Sequence, residues 1–89
     1  MTHMKKNILV VDDSALMRRV MCDIINLDSK FQATDYCRDG LEAYEKLKHT
    51  SYDGVVLDVN MPRMDGLQLL EKLQKEGIRA NVVLSLIHI

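Results

Sequence analysis

Ile8 to Val11 is an unbroken apolar run that stops abruptly at Asp12-Asp13. Successive apolar positions without alternation predict a strand buried on both faces, as in a parallel sheet. Asp13 and Ser14 then offer side chains of the N-cap type. Leu16, Val20 and Ile24, with Met17, Met21 and Ile25, recur at helical spacing and predict a helix running to about Asn26. Phe31 to Cys37 reads as a second, weaker strand. Arg38-Asp39-Gly40 is turn chemistry opening a helix with Leu41, Tyr44 and Leu47 on one face. Tyr52-Asp53-Gly54 precedes a third strand, Val55 to Val59, apolar until Asp58. Met61 to Gly66 is a loop punctuated by Pro62 and Gly66. Beyond it Leu67, Leu70 and Leu73 mark a third helix that Gly77 terminates, and a fourth strand starts near Val82.

Strand and helix alternate throughout, which predicts the α/β class: right-handed crossovers building a doubly wound parallel sheet, with about four strands and three helices present. No repeat, linker or low-complexity segment interrupts the pattern. Such sheets hold ligands in the crevice beyond the carboxyl ends of their strands, so the two aspartate-bearing strand ends are expected to share one mouth.

Composition narrows the function classes. With 89 residues, 47% apolar and 28% charged, the chain is at most one ordinary globular domain. Twelve Lys and Arg against 13 Asp and Glu give a net charge of -1, leaving no global field to hold nucleic acid or an anionic membrane. No apolar run approaches the roughly 20 residues of a membrane span, and Lys5 and Lys6 lead into no signal-peptide core, so a cytoplasmic protein is expected. Cys22 and Cys37 share no motif spacing and are expected as reduced core residues. His3, His49 and His88 have no ligand spacing. Met17 and Met21 read as core packing. Arg18, Arg19, Lys46, Lys48, Lys72 and Lys75 read as solvated faces.

If the first and third strands are neighbours, Asp12, Asp13 and Asp58 converge at one rim. Two unit charges about 4 Å apart repel by ~4 kcal/mol at an effective dielectric near 20, a sizeable part of the roughly 5–15 kcal/mol that holds a domain together. Either one carboxylate stays protonated, or a hard divalent cation binds, and Mg²⁺ suits a site with few protein ligands plus water and phosphate oxygens. The bland alternative is that Asp12-Asp13 cap a helix while Asp58 ends a strand in solvent.

Val10-Val11-Asp12-Asp13-Ser14 with Met17-Arg18, and Leu57-Asp58-Val59-Asn60-Met61-Pro62-Arg63-Met64-Asp65-Gly66, resemble the receiver domains of two-component response regulators over roughly residues 5–84. Ser14 to Arg18 and Pro62 to Gly66 look most like the N-terminal receiver of the chemotaxis protein-glutamate methylesterases. The resemblance implies a flavodoxin-like receiver fold, incomplete here. It also implies that Asp58 is a phosphoacceptor served by a histidine kinase. Asp13 and Asp58 would bind Mg²⁺ directly, Asp12 through water and Asn60 through its backbone carbonyl. An effector domain would follow in the full-length parent. That parent would be a methylesterase or a transcription factor, or the receiver would stand alone.

The family pattern calls for a Ser or Thr ending the fourth strand and a Lys after the fifth. Ungapped, Leu86 falls at the hydroxyl position and Ser85 one place early, so Ser85 contacts the phosphoryl group only if residues 77–81 absorb the shift. The family's fourth helix, fifth strand and last helix have no counterpart before Ile89. Residues 1–84 are therefore expected to be a partial receiver, and 85–89 an atypical or non-native tail. Two rivals remain. A haloacid-dehalogenase-like phosphatase also uses an aspartate ending an apolar strand, but the second Asp it needs is replaced by Asn60. A pure interaction module would carry the same site as a vestige.

Overall fold

The computed structural model describes residues 5–58, 66–78 and 82–85. The elements alternate as expected: β1 (Lys6–Val11), α1 (Ala15–Leu27), β2 (Phe31–Cys37), α2 (Gly40–His49), β3 (Gly54–Asp58), α3 (Gly66–Lys75) and β4 (Val82–Ser85). All pairings are parallel, in the order β2-β1-β3-β4. The first and third strands are therefore neighbours. Val59 lies outside the described residues.

β1 is buried on both sides because helices lie on both. Leu9 and Val11 point into one core with Cys37, Ala43, Tyr44, Leu47, Val55, Leu57, Leu69 and Leu73. Ile8 and Val10 point into the other with Met21, against which Cys22, Ile25, Phe31, Ala33 and Val56 pack half-buried. This period-two split of a wholly apolar strand is what a doubly wound sheet demands.

The β1/β2 register jumps from Ile8↔Ala33 to Leu9↔Asp35, leaving Thr34 as an extra residue. Such a bulge flips every side chain after it to the opposite face. Phe31 and Ala33 accordingly pack on the α1 side and Cys37 on the α2 side. Tyr36 follows on the α1 side, where its ring meets Arg18.

The helix ends follow local chemistry. Ser14 caps α1 by accepting the Met17 N–H at 3.3 Å, and Asp39 caps α2 by accepting the Glu42 N–H at 2.9 Å. Gly77, at φ 69, ends α3. The Ile78 N–H reaches the Leu73 carbonyl at 2.9 Å and the Gly77 N–H the Gln74 carbonyl at 3.3 Å, the bond pattern of a Schellman cap. Among the described residues, no helix is long and apolar enough to cross a membrane.

Several side chains depart from the sequence reading. On α1 Met21 is buried against the sheet with Cys22 and Ile25 packed beside it and Met17 half-buried, whereas Leu16 and Ile24 are 71% and 59% exposed. The two stripes together are wider than one sheet face can cover, and Met21 at the centre of one takes the contact. On α2, Tyr44 and Leu47 are buried but Leu41 is exposed. The lysines are not merely solvated. Lys46 pairs with Asp35 at 3.0 Å, and Lys48 and Lys72 flank the Tyr44 ring at 5.1 and 4.7 Å.

Candidate functional site

The ends of β1, β3 and β4 form one rim. Val11 pairs with Leu57 and Leu57 with Leu84, so the residue after β1, Asp12, and the last residue of β3, Asp58, occupy successive places on neighbouring strands. Asp58 in turn pairs in register with Ser85. The backbone thus brings Asp12, Asp58 and Ser85 to the same edge, with Asp13 next in the chain. The side chains of Asp58 and Ser85, and Asn60 altogether, lie outside the described residues. So does the loop from Met61 to Asp65.

Asp12 is 5% exposed although it sits at a strand end. Its N–H donates to the Cys37 carbonyl at 3.1 Å, extending the ladder towards β2. Its Oδ1 accepts the Ser14 N–H at 2.9 Å, closing a side-chain turn that launches α1. Its main-chain carbonyl accepts from Arg18 Nη1 at 2.9 Å. The Arg18 guanidinium in turn lies 5.7 Å from the centre of the Tyr36 ring. Asp13, by contrast, is exposed.

Arg18 is the residue at this rim that pattern reading missed. On the sequence it is one polar position among several on an exposed helix face. The signal available was its place one turn after the Ser14 cap, where a long side chain points back towards the helix N-terminus. A pocket of 370 Å³ opens beside it, lined by Ala15, Arg18, Arg19, Cys22 and Tyr36. Burial pushes the Cys22 thiol up, with Asp23 adding to the shift and Arg18 opposing it.

Among the described residues, no three His, Cys, Asp or Glu side chains gather closely enough to hold a metal ion. Asp12 and Asp13 offer carboxylate oxygens, and the turn Asp12-Asp13-Ser14-Ala15 holds no His or Cys to add a softer ligand, a donor set that fits a hard cation such as Mg²⁺.

A second polar cluster lies away from this rim. Asp35 accepts from Lys46 Nζ at 3.0 Å, the Tyr52 hydroxyl at 2.8 Å and the Tyr36 N–H at 2.8 Å. Burial raises the Asp35 carboxyl, but these bonds together outweigh it and leave it below the ordinary carboxylate range. This cluster ties β2 to α2 and to the segment entering β3.

Comparison with known proteins agrees with the fold and the rim. The response regulator receiver domain family matches residues 8–87. The chain is 47% identical over 76 residues to the protein-glutamate methylesterase/protein-glutamine glutaminase of Pyrococcus abyssi, covering 85% of this chain and 21% of that protein. It is 48% identical over 71 residues to the protein of the same name from Salmonella typhimurium, covering 80% and 20%. The chain thus spans about a fifth of the length of these curated relatives. Among solved structures, the response regulator domain of Thermotoga maritima CheB superposes with TM-score 0.82 at 34% identity, covering 91% of this chain and 60% of that one. The signal receiver domain of the putative response regulator NarL from Mycobacterium tuberculosis gives TM-score 0.84 at 29% identity, covering 90% and 64%. With four-fifths or more of its length matched in sequence and in fold, the chain belongs to the response regulator receiver domain family, and among its relatives it is similar to the receivers of protein-glutamate methylesterases.

Proposed function

We propose that this segment is the Mg²⁺-dependent phosphoacceptor of a chemotaxis phosphorelay in the cytoplasm, taking a phosphoryl group on Asp58 from a histidine kinase. The observation that carries this reading is the parallel β1/β3 register, which ends the acidic turn Asp12-Asp13 and Asp58 at one rim. An Asp58 carboxylate oxygen forms the new bond to phosphorus while the kinase's phosphohistidine N–P bond breaks, its electron pair leaving with the imidazole, which ends neutral by taking a proton from solvent, and an acyl phosphate remains here. Asp13 and Asp58 would hold Mg²⁺, with Asp12 through water and the Asn60 carbonyl. The ion supplies positive charge against the phosphoryl oxygens, where a loose transition state needs it. Ser85, in register with Asp58, is the candidate hydroxyl contact. The acyl phosphate carries a charge of roughly −2 where the carboxylate carried −1, and that change then biases a two-state surface.

The methylesterase names of the relatives favour a methylesterase effector downstream over a DNA-binding one. Family membership removes the basis for the haloacid-dehalogenase-like reading. Incubation with Mg²⁺ and acetyl phosphate is expected to add about 80 Da, one phosphoryl group, to the intact mass, and Asp58→Asn is expected to abolish the gain. Equal labelling of Asp58→Asn would overturn the acceptor assignment, and no labelling of the parent would favour the vestigial interaction module.

A further inference from the structure

We infer that Arg18 is a positioning residue for the acidic rim, holding the Asp12 main chain in place from α1 with the Tyr36 ring as its back wall. Four hydrogen bonds lock the β1–α1 turn into a closed ring. Ser14 N–H donates to Asp12 Oδ1 at 2.9 Å, and Met17 N–H to Ser14 Oγ at 3.3 Å. Arg18 N–H donates to the Ser14 carbonyl at 2.9 Å, and Arg18 Nη1 returns to the Asp12 carbonyl at 2.9 Å. Arg18 supplies two of the four, one from its backbone and one from its side chain. The side-chain bond fixes the peptide that joins Asp12 to Asp13, the residue pair the proposed cation site depends on.

A guanidinium suits this place. It can donate in its plane to a carbonyl while presenting a face to an aromatic ring, which a lysine ammonium does less well. The contact depends on the bulge at Thr34, which turns Tyr36 to the α1 side. Charge alone makes the opposite prediction from positioning. A fixed cation beside the carboxylates repels Mg²⁺, so a pure counter-charge would tighten metal binding when removed, whereas a strap would weaken it.

The inference rests on the proposed Mg²⁺ site, and the test separates the two. Mg²⁺ is titrated at constant ionic strength into the ¹⁵N-labelled 89-residue chain, following the Asp13 and Ser14 amide resonances. Arg18→Met keeps the stem and loses both donor and charge, and is expected to raise the Mg²⁺ dissociation constant by about tenfold, as removal of an outer-shell partner does. Arg18→Lys is expected to recover only part of that loss, and Tyr36→Ala to weaken binding by about two- to threefold. Binding by Arg18→Met as tight as in the parent, or tighter, overturns the inference while leaving the Mg²⁺ site intact. If Arg18→Met does not fold, Tyr36→Ala decides, because that ring is 61% exposed and its loss leaves both cores whole. An unchanged dissociation constant there also overturns the strap. A parent chain with no Mg²⁺ response overturns the proposed site and this inference with it.

Discussion

The two faces of the sheet are built to different standards. On the α2/α3 face a ten-residue buried cluster joins β1, β2, β3 and both helices. A polar clasp also crosses the helix pair: the Tyr44 hydroxyl on α2 donates to Glu76, just past α3, at 2.5 Å, with Lys48 and Lys72 flanking the ring. On the α1 face the buried cluster is Ile8, Val10 and Met21, and α1 carries Leu16, Ile24 and Leu27 at 71%, 59% and 86% exposure. The difference separates two tasks. One face supplies the stability of the scaffold. The other faces solvent with its apolar stripe and, at its N-terminal end, reaches the acidic rim through Arg18.

The sharpest way to break this comparison is to remove the same side chain from each face. Leu69 is fully buried, and Leu69→Ala is expected to cost about 3–5 kcal/mol, enough to unfold much of a domain this small. Leu27→Ala removes an equal volume from a residue 86% exposed and is expected to change stability by less than about 0.5 kcal/mol. Urea titrations of both variants measure this. Equal losses would mean that α1 buries its outer stripe after all, and the distinction between the faces would be gone.

Alkaline pH should attack the same face. Burial pushes the Cys37 thiol up to about 12, and burial with the Asp35 hydrogen bond pushes the Tyr52 hydroxyl up to about 12. The Tyr44 hydroxyl rises to about 12 chiefly through its bond to Glu76. Each group keeps its proton more tightly folded than unfolded. Their contribution is therefore fully present below the ordinary values of about 9 to 10 and is lost as pH climbs towards 12. The expected outcome is a progressive fall in stability between about pH 9 and 12, with the buried Cys37 thiol as its main source. Asp35 has the opposite sign. Its depressed carboxyl stabilises above the usual carboxylate range, and that contribution is lost as pH falls through and below about 4. Urea midpoints across about pH 2–12 would show both limbs. A flat alkaline limb would mean that these groups are not held on the finished face as described.

Much of the fold was legible because each element carried its own signal. The apolar run at Ile8–Val11 stated burial on both sides, Ser14 and Asp39 stated where helices begin, and Gly77 where one ends. The rim was legible as soon as two strands each stopped at aspartate. What stayed hidden depends on registers and rotations that no short window contains. The Thr34 bulge decides that Tyr36 and not Asp35 faces α1, and without that fact Arg18 has no visible partner. The choice between the two apolar stripes of α1 was likewise hidden, since Leu16-Val20-Ile24 is the more apolar on the sequence, yet Leu16 and Ile24 are exposed while Met21 is buried, and only contact with the sheet decides it. Of the lysines read as solvated, Lys46 and Lys72 have partners 11 and 28 positions away, on other elements. Lys48 is the exception, four residues from Tyr44 on its own helix.

The smallest effect tests whether the clasp or the cluster holds α2 to α3. Tyr44→Phe keeps the ring, its place in the core and the two flanking ammonium groups, and deletes only the hydroxyl bonded to Glu76. A single hydrogen bond to a charged group near the surface contributes about 1 kcal/mol or less once water replaces the lost partner. Loss of that bond also frees the Glu76 carboxyl, which the Tyr44 hydroxyl holds below the usual range with help from Lys72, to rise towards its ordinary value. The variant is therefore expected to melt only a few degrees below the parent and to shed part of the alkaline limb, because a titrating phenol has gone. A Glu76 titration unchanged by Tyr44→Phe, read from its side-chain carboxyl resonance, would show that Lys72 alone sets it and that packing, not the clasp, joins the two helices.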